Sequence, residues 1–150
     1  MPEYPEKLQQ VLADFKWITD REERAAYLIE LADQFQPVPE RIATKPYPEE
    51  HRVPFCESEA FVWTEDLPDG TLKFHFAVEN PQGLSAMAMA AILDQTLSGQ
   101  PLEQVAQVPD DIVFAMFGQS ISMGKGQGLM GIVAMVRRAA RDRLRQVQQG

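Results

Sequence analysis

Hydrophobic positions near the start of the chain repeat at helical spacing. Leu8, Val11, Leu12 and Phe15 fall at i, i+3, i+4 and i+7, one apolar face of a helix over about residues 3–17. Thr19 or Asp20 can cap a second helix, with Glu22 or Glu23 three residues on in a capping-box pattern. That helix runs to about Phe35 along a stripe begun by Arg24 and continued by Tyr27, Leu28, Leu31, Ala32 and Phe35. The two read as an antiparallel helical pair. From 36 to 52 the pattern stops. Pro37, Pro39, Pro46 and Pro48 prevent regular helix and deny donors to a sheet, so a long ordered loop is predicted.

The period then drops to two. "AFVWTED" predicts a strand over 60–66, and "LPDG" a tight turn. "TLKFHFAVE" predicts a second strand with Leu72, Phe74, Phe76 and Val78 buried, and Lys73, His75 and Glu79 facing solvent. Val53 and its neighbours are placed to add a short third strand. Asn80-Pro81 opens a helix to about Leu97, with Leu84, Met87, Ala88, Ala91 and Ile92 facing inward. Residues 101–117 read as two short helical pieces split near Pro109, and "GQSISMGKGQG" as a loop. A last helix runs from about Gly128 to Gln148 on a stripe of Leu129, Ile132, Val133, Val136, Ala140, Leu144 and Val147. Helices, hairpin, helices predict an α+β fold, its small antiparallel sheet covered by helices on one face.

A length of 150 residues fits one domain over 1–150, and 45% apolar content excludes wholesale disorder. No apolar run approaches the ~20 residues of a membrane span. "MPEYPEKLQQVLADF" lacks the basic start and apolar block of a signal peptide. One cysteine, Cys56, cannot form an internal disulfide, which suits a reducing compartment; a cytoplasmic protein is expected. The net charge of −8 argues against nonspecific nucleic-acid binding. It is uneven, since residues 125–150 carry Lys125 and five arginines against Asp142, a net of +5. Two readings stand for that segment: a solvated helix face with cations near its C-terminal end, or a basic surface that docks a partner.

Most candidate chemistry fails on spacing. Cys56, His51 and His75 do not make a structural zinc site, which wants four closely spaced ligands. "GQGLMG", Gly126 to Gly131, matches a dinucleotide fingerprint in form, but no strand follows it, and Lys125 is followed by Gly126 where a phosphate loop needs Ser or Thr. The glycines read as a loop with unusual backbone angles before a helix. Paired carboxylates (Glu22 with Glu23, Glu49 with Glu50, Asp110 with Asp111) sit at predicted caps or loops, where acids are expected. No nucleophile elbow supports a Ser-His-Asp reading.

Cys56 remains. An unpaired cysteine commonly packs as a small hydrophobe. Here a proline-stiffened loop precedes it and Glu57 and Glu59 flank it, a context that presents a thiol. Negative neighbours favour the neutral thiol, whereas the thiolate is the nucleophile. Arg52, His51 or Lys125 can compensate if folded close by, or activation can await a partner.

These residues resemble a known family, the SufE-like sulfur acceptors of iron–sulfur cluster assembly. The first family motif is matched by Val53, Cys56 and Ser58, with Phe61 at the aromatic position, and the second by Lys125, Gln127, Gly128 and Leu129. The similarity runs over roughly residues 5–145. Two positions depart from it: Phe55 stands where the family has glycine, and Lys125 where it has arginine, which keeps the charge and loses the bidentate fork. The resemblance implies a SufE/IscU-like fold. It implies a carrier whose Cys56 takes sulfur from the persulfide of a cysteine desulfurase, stimulates that enzyme and passes sulfur to a cluster scaffold. Arg52 and Lys125 would orient or stabilise the charged sulfur, and Ser58 would support the loop. Pyridoxal phosphate would belong to the desulfurase, with no cofactor on this chain. A non-covalent docking adaptor and a thiol redox protein are the alternatives; the second would lack a resolving cysteine.

Overall fold

The computed structural model describes residues 4–149. Helices α1 (Glu6–Trp17) and α2 (Arg21–Asp33) lead through a long loop to strands β1 (Ala60–Asp66) and β2 (Leu72–Val78). Helices α3 (Leu84–Leu97), α4 (Leu102–Val105), α5 (Ile112–Phe117) and α6 (Met123–Gln149) follow. The expected helix start at residue 3 lies outside the described residues. Among those residues, no helix is long and apolar enough to cross a membrane. The fold is α+β, with a two-stranded antiparallel sheet and helices on one of its faces.

The register places Val62 opposite Phe76 and Thr64 opposite Phe74. Val62, Leu72, Phe74 and Phe76 therefore enter one core with Met89, Ile92, Leu93 and Leu97 of α3 and Ile132, Val133 and Val136 of α6. Helix α3 is the centre of that core. Leu84, expected to face inward, is 49% exposed, while Met89 and Ala90 are buried. The cause is position: α1, α2, α6 and β2 all pack on α3, so it keeps almost no solvent stripe, as expected of a helix apolar on all sides. Arg24, at the head of the α2 stripe, donates to the carbonyls of Ala115 and Met116 and so ties α2 to the end of α5.

The hairpin is buried on both faces, which corrects the expectation of one solvent face. Phe61, Trp63 and Ala77 form a second cluster with Val38, and Ile42, Ala43 and Tyr47 pack on it. The proline-rich loop supplies that cover. Its path is set by a parallel bridge between Pro37 and Phe76 and by the Val38 amide donating to the Phe76 carbonyl at 2.8 Å. The proposed third strand shrinks to one antiparallel bridge, Arg52 to Phe61.

His75 is accordingly 7% exposed and not on a solvent face. Its Nε2 lies 2.8 Å from Glu65, whose carboxylate also accepts two hydrogen bonds from Arg41, at 2.7 and 3.1 Å. These bonds, Arg41's first, hold the Glu65 carboxyl down at about 2 from its ordinary 4.5. A depressed folded-state carboxyl stabilises the fold above its unfolded value, and the stabilisation is lost as pH falls from about 4.5 through about 2. Glu65→Gln is expected to melt below wild type at pH 6, with the gap closing as pH falls across that window. A gap that stays constant from pH 6 to pH 2.5 would show that the carboxylate does not clamp the loop to the hairpin.

Candidate functional site

Residues 54–59 leave the Arg52–Phe61 bridge and return to β1 as a closed loop that carries Cys56. The loop's neck is the Val53 amide donating to the Ala60 carbonyl at 2.8 Å. Inside it, the Glu59 amide donates to the Cys56 carbonyl at 3.2 Å. Its outer side is tied to the segment between β2 and α3: the amides of Glu79 and Asn80 donate to the carbonyls of Glu59 and Ser58, at 3.1 and 3.2 Å. Phe55 and Glu59 both have positive φ, 59° and 54°. Residues with a β-carbon rarely adopt that region, and a bulky one least of all. Such a backbone persists where its surroundings over-determine it.

The bed of this loop is made of glycines. Helix α6 begins at Met123, so the "GKGQG" segment is helical and the loop expected over residues 118–128 is confined to its first half. Ser122 caps the helix: its Oγ accepts from the Lys125 amide at 3.2 Å and its carbonyl from the Gly126 amide at 2.9 Å. The helical glycines are there for close approach. A β-carbon at Gly128 would sit 3.1 Å from the Cys56 Cα and 3.3 Å from its Sγ. One at Gly131 would sit 2.9 Å from a Val53 methyl and 3.4 Å from the Pro54 carbonyl oxygen. On the other side, a β-carbon at Gly83 would lie 3.0 Å from the Ser58 Cβ. The Cys56 loop is thus wedged between the starts of α3 and α6, and a side chain at any of those crossings would require its neighbours to shift.

Cys56 is half-buried. It lines a cavity of about 70 Å³ with Glu57, Ser58, Gln82, Ser85, Lys125 and Leu129. Of the nominated residues, Cys56, Ser58 and Lys125 meet there. Arg52 does not line this cavity. Its guanidinium pairs with Glu49 at 3.0 Å, lies 4.7 Å from the Phe61 ring centre and borders a separate groove with Pro54 and Phe55. His51 stacks on Trp63, and its Nδ1 lies 2.9 Å from the Val62 carbonyl oxygen. Lys125 makes no ion pair among the described residues. Ser85, Gln82 and Gly83 escaped sequence reasoning, and Gly128 and Gly131 read there as motif or loop positions without their seating role. For Gly124, Gly128 and Gly131 the signal was present, since they fall at i, i+4 and i+7 on one helical face.

The basic C-terminal segment is partly committed within the fold. Arg137 pairs with Asp110 and donates to the Val108 carbonyl, and Arg143 pairs with Asp66 at 3.0 Å. Arg138 and Arg141 make no ion pair among the described residues.

Chemically, the arrangement presents a thiol at a loop turn, a cation beside it and a small space in front of it. Comparison with known proteins gives the family and the fold. Residues 9–140 match the model of the SufE family, described as the Fe-S metabolism associated domain. An uncharacterised SufE-like protein of Rhizobium etli is 27% identical over 138 residues, covering 91% of this chain and 90% of that protein. A hypothetical protein from Thermus thermophilus, solved in solution, superposes with a TM-score of 0.75 at 27% identity, over 94% of this chain and 98% of that one.

Proposed function

This chain belongs to the SufE family, which places it in iron–sulfur metabolism, and on that premise we propose that it is a sulfur acceptor with Cys56 as the carrier. The donor is the persulfide of a cysteine desulfurase, which holds its own pyridoxal phosphate. The Cys56 thiolate attacks the outer sulfur of that persulfide. The donor's S–S bond breaks, its cysteine leaves as a thiolate, and a new S–S bond forms on Cys56. One sulfur changes hands, the proton released by Cys56 balances the one the donor cysteine regains, and no external oxidant or reductant is needed. Cys56 then passes the sulfur to a cluster scaffold, and the desulfurase, relieved of its persulfide, turns over again. A carrier with a single unpaired thiol suits a reducing compartment, which we take to be the cytoplasm.

The observation that carries this reading is the shared cavity of Cys56 and Lys125. At about 70 Å³ it exceeds twice the ~30 Å³ that one water occupies in the liquid, so a terminal sulfur has room there. The Lys125 ammonium is the group that would offset the negative charge on that sulfur. Arg52, engaged with Glu49 and laid over Phe61, has a positioning role at the loop's neck.

Incubation with a cysteine desulfurase and cysteine, followed by intact mass and peptide mapping, is the test. Wild type is expected to gain one reducible sulfur, located on Cys56. An unmodified chain beside a persulfidated desulfurase would end the proposal.

A further inference from the structure

We propose that Phe55 is the anchor that docks this chain on its sulfur donor, and that its unfavourable backbone is retained for that purpose. The inference rests on the sulfur-acceptor reading and names how the same site recognises its partner.

Phe55 combines two features that are each unfavourable for a free protein. Its φ of 59° lies in the left-handed region, which a glycine adopts freely and a bulky residue does not. The residue is also 78% exposed, so its side chain returns little burial for the strain. Most exposed apolar residues need no explanation. This one does, because glycine at the same position would remove both features at once.

The geometry says what covers it. Adjacent α-carbons are about 3.8 Å apart, and a specific protein interface covers roughly 800 Å² of each partner. A macromolecule that brings a sulfur within bonding distance of Cys56, with a footprint of that size, is therefore expected to cover Phe55 as well, although the ring borders a groove separate from the Cys56 cavity. The ring also stands at the edge of a groove of about 400 Å³, lined by Pro54, Met130 and Met135 and rimmed by Arg52, Arg138, Glu50 and Asp110, of which Asp110 is taken up by Arg137 and Arg52 by Glu49. Methionines repack readily around a partner's side chains. Arg138 makes no ion pair among the described residues, so a partner carboxylate at that rim has a cation waiting. The surface that fits is an apolar socket with a carboxylate set to meet Arg138, next to the donor's persulfide cysteine. A central aromatic in a dry socket with a charged rim is the common form of an interface hot spot.

The test compares Phe55→Gly and Phe55→Leu with wild type. Phe55→Gly is expected to melt at or above the wild-type temperature, because the left-handed backbone costs glycine nothing. Its Kd for the desulfurase, by calorimetry, is expected to rise about 10- to 100-fold, the range of a hot-spot truncation. Phe55→Leu, which keeps an apolar side chain, should recover part of that loss. An unchanged Kd for Phe55→Gly would overturn the inference. So would a wild-type self-association that Phe55→Gly abolishes without altering the Kd for the desulfurase, because a second copy would then be what covers the ring. Failure of wild-type Cys56 to take up sulfur would defeat the acceptor reading instead, and the calorimetric Kd would still report on Phe55.

Discussion

Cys56→Ser is expected to abolish sulfur uptake while leaving the chain folded and able to bind the desulfurase. Serine matches cysteine in shape, and Cys56 is only half-buried on a loop, so the change in stability should stay within about 1 kcal/mol. The chemistry has no such tolerance. A serine hydroxyl does not ionise at neutral pH without an adjacent general base, and an oxygen on sulfur is no substitute for the S–S bond that stores the atom in transit. Sulfur gain by mass should therefore fall to background, and alanine release by the desulfurase should return to its unstimulated rate at every acceptor concentration. The second measurement separates the carrier from a docking adaptor. A variant that still speeds the desulfurase while gaining no sulfur would assign the stimulation to contact alone. In that case Phe55 and its groove would matter more than the thiol.

The fold was legible where period and burial agree. β1 was read over the range it occupies, because "AFVWTED" is bounded by polar turns. Residues 101–117 resolved into α4 and α5 because Pro109 interrupts them. Sequence reasoning failed where side chains serve contacts distant in the chain. Phe61 and Trp63 already placed bulky apolar groups on the supposed solvent face of the hairpin. Their cover comes from Val38, Ile42 and Tyr47, in a loop whose prolines mask any periodicity. His75 was read as exposed for the same reason. The α6 start was missed because glycine ordinarily disfavours helix interiors by up to about 1 kcal/mol. A packing partner can reverse that penalty's meaning, and a single sequence does not say that the Cys56 loop lies on the helix. Of the candidate site, Cys56 stood out as the single thiol and Lys125 entered through the family resemblance, and one cavity is lined by both. Arg52 was nominated for its closeness in sequence to Cys56, yet the loop's neck turns it towards Glu49 and Phe61.

Filling the glycine bed gives the other large effect. Gly128→Val places a β-carbon 3.1 Å from the Cys56 Cα and 3.4 Å from its Cβ before its two methyls are counted. The loop cannot yield freely, being closed at Val53–Ala60 and tied at Ser58–Asn80. Nor can α6 retreat, because Leu129, Ile132 and Val133 beside the contact are buried. Overpacking of this kind costs about 1–3 kcal/mol, and the helix propensity gained by losing glycine offsets well under 1 kcal/mol of it. At roughly 2–4 °C per kcal/mol for a chain of this size, the melting temperature should fall by several degrees. The functional loss should be larger than the thermal one, because the loop that moves carries the nucleophile. A displacement near 1 Å can cost about 100-fold in a transfer step that depends on alignment. Slower sulfur loading with faster modification by a thiol reagent would mark a thiol pushed out of its seat. Gly124→Ala supplies the contrast. Its β-carbon would lie 3.7 Å from a Glu57 carboxylate oxygen, an ordinary contact, so stability should hold or rise slightly and loading should not change. Equal behaviour of the two variants would mean that the glycines do not seat the loop, and the placing of Cys56 in the cavity that Lys125 also lines would then need another cause.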